Sequence, residues 1–313
     1  MLFYILRRII ATIPVMGVVA LLVFSMLFLA PGDPAVIIAG ESASAEQLAR
    51  MRQSMGLDQP LPVQFARWVG RVAVGDFGTS LHSGRPVTEM IGARVGTTLS
   101  LAMVTIVFSL LLAIPMGILA AWARGRFIDK AVMSVAVLGF STPVFVVGYA
   151  FIFIFAVKAG WFPVQGFTPL GDDPLRFVRT VTLPAITLSL AYIALVSRIT
   201  RSSLLETLGE DFIRTARAKG ATERRVLLRH ALRNAAVPII TVAGSAAAFL
   251  IGGVVVTESV FNLPGMGRLV VESVLARDYP LIQGLILLLS LIYIGINLLT
   301  DILYSVFDPR IRY

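Results

Sequence analysis

Six stretches of this chain hold no Asp, Glu, Lys or Arg: residues 9–30, 95–123, 131–157, 180–197, 235–257 and 279–300. A helix needs roughly 20 apolar residues to cross the hydrocarbon core of a bilayer, and each run approaches or exceeds that length. Only 14% of the 313 residues are charged, against about 25% in a soluble domain, and the mean hydropathy is +0.85. The sequence therefore predicts an all-α integral membrane protein with six transmembrane helices. The fourth run is the shortest and contains Pro184, which makes its ends the hardest to place. Arg7 and Arg8 precede the first run as in a signal peptide, but that run is longer than a signal peptide's apolar core and is read as a span.

Lys and Arg near short loops are retained on the cytoplasmic side. With the N-terminus inside, the inner segments carry fifteen such residues and the short outer loops five: Lys158, Arg176, Arg179, Arg268 and Arg277. Both termini are expected in the cytoplasm. The long first loop, 31–94, lies outside and exceeds the length over which the rule counts. The organisation follows: residues 1–30 form the N-terminus and first span, 31–94 an extracytoplasmic subdomain, and 95–313 a five-span core carrying an inner loop at 200–234.

The net charge of +9 follows from this topology, so no nucleic-acid partner is indicated. The chain has no cysteine, and its two histidines, His82 and His230, fall on opposite sides of the membrane. No metal site, disulfide or thiol nucleophile can be built from that inventory. A phosphate-binding loop needs a lysine after glycine and before Ser or Thr. The three lysines, Lys130, Lys158 and Lys219, lie in "DKA", "VKA" and "AKG". The chain is thus expected to be no enzyme and to bind no cofactor of its own.

In the first loop, "ASAEQLARMRQSMG" has helical composition, with Leu48, Met51 and Met55 on one face, and "PGDPA" and "GLDQPLPVQF" read as turns around it. "GDFGTSLHSGRPV" is rich in breakers. Between the last two spans, "PGMG" forces a turn before a second helical pattern that stacks Leu269, Glu272 and Ala276. Glu258, at the outer end of a span, either lines a polar pathway or sits in interfacial water. In "GFSTPVF", Pro143 is expected to kink the third helix beside Ser141, freeing carbonyls toward a cavity or toward a neighbouring helix.

The inner loop carries the densest basic cluster, "RTARAKGATERR". Leu205, Leu208, Phe212 and Ala216 recur at i, i+3, i+7 and i+11, which predicts an apolar stripe on one helix ending at Gly220. Glu210 and Asp211 sit four and three residues before Arg214, and Thr222 is positioned to cap a second helix. Arg225, Arg229 and Arg233 follow at intervals of four. Ala216 and Gly220 leave room for close approach at this corner, while Arg214, Arg217 and Lys219 offer charge. Either a partner protein docks there or anionic lipid holds a basic interfacial helix.

"RTARAKG" with "RHALRNAAVPI", together with "PGDPA", "GLDQP", "GDFGTS", "ESVFNLPGMGRL", "RDYP" and "DPRIRY", resembles the permease subunits of binding-protein-dependent ABC importers. More narrowly, it is similar to their dipeptide, oligopeptide, glutathione and nickel branch. The likeness runs in order along nearly the whole chain. In the family's cytoplasmic EAA loop the hallmark glycine corresponds to Gly220. The motif's Glu is replaced by Arg214 and its first Ala by Thr215, Ala216 is retained, and the following proline is displaced to Pro238.

The resemblance implies a type I importer permease in the bacterial inner membrane, moving di- or oligopeptides or related solutes. A second homologous permease, two cytosolic ATPases holding ATP and Mg, and an extracytoplasmic solute-binding protein would complete it, within membrane lipid. Glu210, Asp211, Arg214, Thr215, Ala216, Arg217, Lys219 and Gly220 would form the ATPase-coupling segment. Ser141, Pro143 and Glu258 are candidates for the translocation path, and Asn262, Pro264, Gly265 and Arg268 for binding-protein docking. The alternative is a self-contained gradient-driven transporter or channel, but such proteins place ionisable residues near the bilayer midplane. Here the nearest candidates, Arg198, Glu258 and Asp301, lie toward span ends. No paired nucleophile and base suggest an intramembrane hydrolase.

Overall fold

The computed structural model describes residues 2–29, 36 and 44–307. "PGDPA" and "DPRIRY" lie outside the described residues. Nearly everything described is helical; one isolated antiparallel bridge joins Thr79 and Pro86. The apolar runs fall on α1 (Leu2–Leu29), α4 (Val87–Trp122), α7 (Pro174–Thr207), α11 (Ala236–Val260) and α13 (Tyr279–Phe307). Each is long and apolar enough to cross a membrane. The third run differs. It divides into α5 (Phe127–Ser141) and α6 (Val144–Phe151), the latter continued by a π-helical turn at Ile152–Lys158, with a 102° bend between the halves. Five helices, or six if the bent pair counts as one span, are therefore long enough to cross. Pro143 acts as a break rather than a kink: it has no N–H for the carbonyl of Gly139 one turn back, and its extended ψ of 135° turns the chain.

The chain divides into two compact units. Of the described residues, the larger contains 2–6, 95–268 and 293–307. Its axis is α7, whose apolar window is 67% buried, whereas no other crossing helix exceeds 33%. Pro184 sits inside this helix, and α5 and α11 pack along it. Small residues make the approach possible, as expected where lipid supplies no hydrophobic drive between helices. A Cβ on Gly117 of α4 would lie 2.5 Å from the Cβ of Thr200 and 2.7 Å from the carbonyl oxygen of Ser197. Tyr192 donates its hydroxyl to the carbonyl of Ala243 at 2.7 Å, tying α7 to α11.

The smaller unit holds 7–94 and 269–292. Here α2 (Ala45–Met55) begins in a capping box in which Ser44 and Gln47 exchange hydrogen bonds, and it ends at Gly56 with φ +68°. α3 (Leu61–Ala73) starts from Pro60 and sets Phe65 and Trp68 against Phe24 of α1, at ring-centroid distances of 5.3 and 5.6 Å. Two of the short words found in the sequence meet in this unit. Asp278 of "RDYP" is buried, accepts a short hydrogen bond from the Ser80 hydroxyl of "GDFGTS" and another from the Leu81 N–H at 3.1 Å, and so fixes the breaker-rich turn.

Candidate functional site

The inner loop is a corner between two helical segments, and its first helix is shorter than the periodicity predicts. α7 ends at Thr207; Leu208, Gly209 and Glu210 form a turn, and α8 (Asp211–Ala218) begins anew. The single stripe from Leu205 to Ala216 is therefore broken at Gly209. Leu205 belongs to the end of α7 and Leu208 to the turn, and after the turn the inward position is Ile213, which is 0% exposed, whereas Phe212 is 42% exposed. Ile213 inserts into a cluster with Leu204, Val226, Ala231, Ala235 and Ile239.

Two backbone bonds stop α8. The N–H of Gly220 donates to the carbonyl of Arg217 at 2.9 Å, and that of Ala221 to the carbonyl of Ala216 at 3.1 Å. This is a Schellman termination, which requires a left-handed residue, and Gly220 supplies it with φ +83°. Thr222 starts the second helix in extended conformation without a side-chain cap bond, so the predicted Thr222 cap is a backbone position only. That helix, α9 (Glu223–Arg225), passes through a π-helical turn at Val226–Ala231 into α10 (Leu232–Asn234). The π turn shifts the register of Arg225, Arg229 and Arg233 away from a simple four-residue row.

Across the corner, Arg217 donates from Nε and Nη2 to the two carboxylate oxygens of Glu223, at 2.8 and 3.2 Å. This paired hydrogen bond holds the Glu223 carboxyl below its ordinary pKa and raises that of Arg217. Of the eight expected coupling residues, Ala216 is half-buried and Glu210, Asp211, Arg214, Thr215, Arg217, Lys219 and Gly220 are exposed. Arg214 is paired with Asp211 at 3.2 Å; Glu210 accepts backbone bonds from Ile213 and Arg214.

A third ion pair was not foreseen. Asp129 near the start of α5 is 4% exposed and accepts from Arg201 of α7 at 2.5 and 2.8 Å, with the N–H of Gly125 adding a third bond at 2.9 Å. Its sequence signal is slight: Asp129 is the one acid among Arg124, Arg126 and Lys130, in a loop whose positive charge alone entered the topology reading.

At the turn between α11 and α12 (Met266–Leu275), Glu258 is 0% exposed, which corrects the expectation of a carboxylate in water. Its side chain accepts from the Thr98 hydroxyl at 2.6 Å and from the Arg268 N–H at 3.0 Å, and Thr98 in turn accepts from the Met266 N–H at 2.8 Å. The carboxylate thus serves the opening turn of α12, where N–H groups have no helical partner. Asn262 carries φ +52° and ends α11, its side chain bonding to Gln165 at 2.8 Å and accepting a short bond from Arg268. Asn262 and Pro264 are exposed and Arg268 is half-buried, but Gly265 is buried. A Cβ there would lie 2.0 Å from the Glu258 carboxylate, so Gly265 shapes the turn from within rather than offering surface. Ser141, at the break between α5 and α6, lines a groove of about 370 Å³ with Met133, Phe140, Leu195 and Arg198; Pro143 and Glu258 do not line it.

These turns belong to a helical protein of the bilayer with several helices long and apolar enough to cross it. Residues 113–313 match the family model described as "Binding-protein-dependent transport system inner membrane component", and residues 1–102 match the N-terminal model of the same systems. The chain belongs to this family and is the permease subunit of a binding-protein-dependent ABC importer in the inner membrane. It is 48% identical over 310 residues to "Probable peptide ABC transporter permease protein y4tP" of Sinorhizobium fredii, covering 99% of each chain. It is 47% identical over 313 residues to the glutathione transport system permease protein GsiC of Salmonella paratyphi A, covering all of both. Among solved structures it resembles a chain of the MetNI methionine ABC transporter in an inward-facing conformation (TM-score 0.59, 18% identity, 70% of this chain and 96% of that one). An amino acid ABC transporter solved with histidines gives a TM-score of 0.51 at 18% identity, with 72% and 95% covered. At these identities the likeness concerns the fold.

Proposed function

We propose that this permease moves peptides or related small solutes inward, with six spans, both termini cytoplasmic, and α8 as the coupling helix seated in a groove of a cytosolic ATPase. Its relatives' names support the substrate class, and the geometry of the corner supports a coupling role. The observation that carries the reading is that α8 is held rigidly from beneath and left open above. Ile213 plugs the cluster formed with the ends of α7 and α11, the Arg217–Glu223 fork braces the corner, and Phe212, Lys219 and Gly220 face outward. A push on α8 is then delivered to the packed helices instead of being absorbed by a hinge, because close-packed interiors transmit strain. Phe212 gives the partner an aromatic anchor, the kind of residue that dominates interface energetics.

In this scheme two ATPases hold ATP and Mg, a second homologous permease completes the pore, and an extracytoplasmic binding protein meets the turn around Asn262, Pro264 and Arg268. ATPase closure moves α8 and switches the cavity from inward-facing to outward-facing. Affinity purification of the chain from its native membrane in mild detergent tests the assembly. A second permease and ATPase subunits should accompany it. Recovery of the chain alone, with transport in liposomes lacking ATP, would make it a gradient-driven carrier instead.

A further inference from the structure

The second arm of the inner corner carries four arginines for which a coupling role of α8 has no use. Arg224, Arg225, Arg229 and Arg233 are exposed, and among the described residues their side chains have no ion pair or hydrogen bond. The arginines of the first arm differ: Arg214 is paired with Asp211 and Arg217 with Glu223. From residue 224 to residue 257 the sequence holds no Asp or Glu, so the second arm has no acid of its own.

The π-helical turn at Val226–Ala231 decides where those charges stand. In a plain α-helix two residues five apart differ by about 140° around the axis. Bonding from i to i+5 widens the turn and brings them close to one line. Val226, Ala231 and Ala235, at intervals of five and four, are accordingly all inward, at 0, 0 and 1% exposed. Arg224, Arg229 and Arg233 repeat those intervals on the outer side, and Leu228, 44% exposed, stands beside them. The row ends at Arg233, just before α11, whose 25 residues measure about 37 Å against roughly 30 Å of hydrocarbon. That excess brings the start of α11, and the arm leading into it, to the level of the lipid headgroups.

We propose that the arm at 223–234 is a binding site for acidic phospholipid of the cytoplasmic leaflet. The guanidinium groups of Arg224, Arg229 and Arg233 take phosphate oxygens, which fit their planar forks, and Leu228 enters the acyl boundary. The two arms of the corner then differ in partner: α8 meets a protein and the second arm meets lipid. This rests on the reading that places the corner in the cytoplasm as an importer's coupling loop. An ATPase surface is the rival occupant, and the experiment separates the two.

The whole importer, with its copurified subunits, is placed in nanodiscs of phosphatidylcholine and phosphatidylglycerol in equal parts, with a photoactivatable diazirine on one lipid or the other. Crosslinks are mapped on this chain. At residues 223–234 the phosphatidylglycerol probe should exceed the phosphatidylcholine probe by about fivefold or more, the bias that a single arginine gives near an anionic surface. Arg224→Gln combined with Arg229→Gln should bring that ratio toward unity, whereas lysine at both positions should retain most of it. The glutamine variant removes two of fifteen inner basic residues against five outside, so its topology should stand. Its ATPases should copurify at the parental yield; their loss would assign the arm to the motor and overturn the proposal. Equal labelling by the two probes in the parent, or a ratio unchanged in the glutamine variant, would overturn it as well. Failure of the importer reading would show separately, as absence of ATPases from the parent itself.

Discussion

Two glycines mark two tight turns of this permease, and they are there for opposite reasons. At Gly220 the backbone needs a left-handed residue, φ +83°, and nothing lies within 4 Å of where a Cβ would project. At Gly265 the backbone makes no such demand, but a Cβ would sit 2.0 Å from the buried Glu258 carboxylate. One turn is set by backbone conformation and keeps an open surface; the other is set by packing and keeps none. A side chain added at Gly220 therefore meets open space, whereas one added at Gly265 meets the protein itself.

The largest expected effect is at the packed turn. Gly265→Val should cost about 3 kcal/mol or more, because the doubly bonded Glu258 carboxylate cannot yield. The protein should fail to accumulate in membranes. Accumulation and a native melting temperature in detergent would show that the turn is looser than described. Next comes Glu258→Leu, which strips the Thr98 hydroxyl and the Arg268 N–H of their acceptor in a buried site, at about 1–3 kcal/mol for each group left unpaired. Glu258→Gln keeps an acceptor and should lose much less; equal melting of the two variants would remove this role for the carboxylate.

At the open corner, Gly220→Trp should cost the fold only about 1–2 kcal/mol of left-handed strain, leaving the protein inserted and abundant. Transport should nevertheless be abolished, and ATPase subunits should no longer copurify. Normal transport would sink the coupling assignment. The smallest effect is the Arg217–Glu223 fork, whose members are 41% and 63% exposed and together contribute roughly a few tenths of a kcal/mol. Because Glu223 titrates below its ordinary range in the folded protein, this contribution is complete above that range. It is lost as pH falls through the lowered folded value. Arg217→Ala should lower stability at neutral pH by those few tenths of a kcal/mol and flatten the acid limb of the melting curve.

What the sequence could reveal followed the range of the interaction. Spans are local: a charge-free run declares itself, and all six runs lie on helices, although Pro143 signalled only a kink and the 102° break depends on how α5 and α6 pack against α7. The left-handed end at Gly220 is equally local and was legible. The stripe through Phe212 misled because periodicity was counted across Gly209, where the helix stops. Partners far apart along the chain left no trace: Thr98 and Glu258 are separated by 160 residues, and Asp129 and Arg201 by 72. Neither pair has a local pattern that spacing rules can detect, so Glu258 was left between a polar pathway and interfacial water, and Asp129 was passed over.

Phe212 is where the open corner can be questioned most directly, since it is exposed on α8 while its neighbour Ile213 carries the packing. A photo-crosslinking phenylalanine analogue placed there, in the native membrane, should capture an ATPase subunit as its main product, and Gly220→Trp should remove that product. Crosslinks to lipid alone, in a membrane where the importer is active, would mean that the basic corner rests on the bilayer and that the motor couples elsewhere.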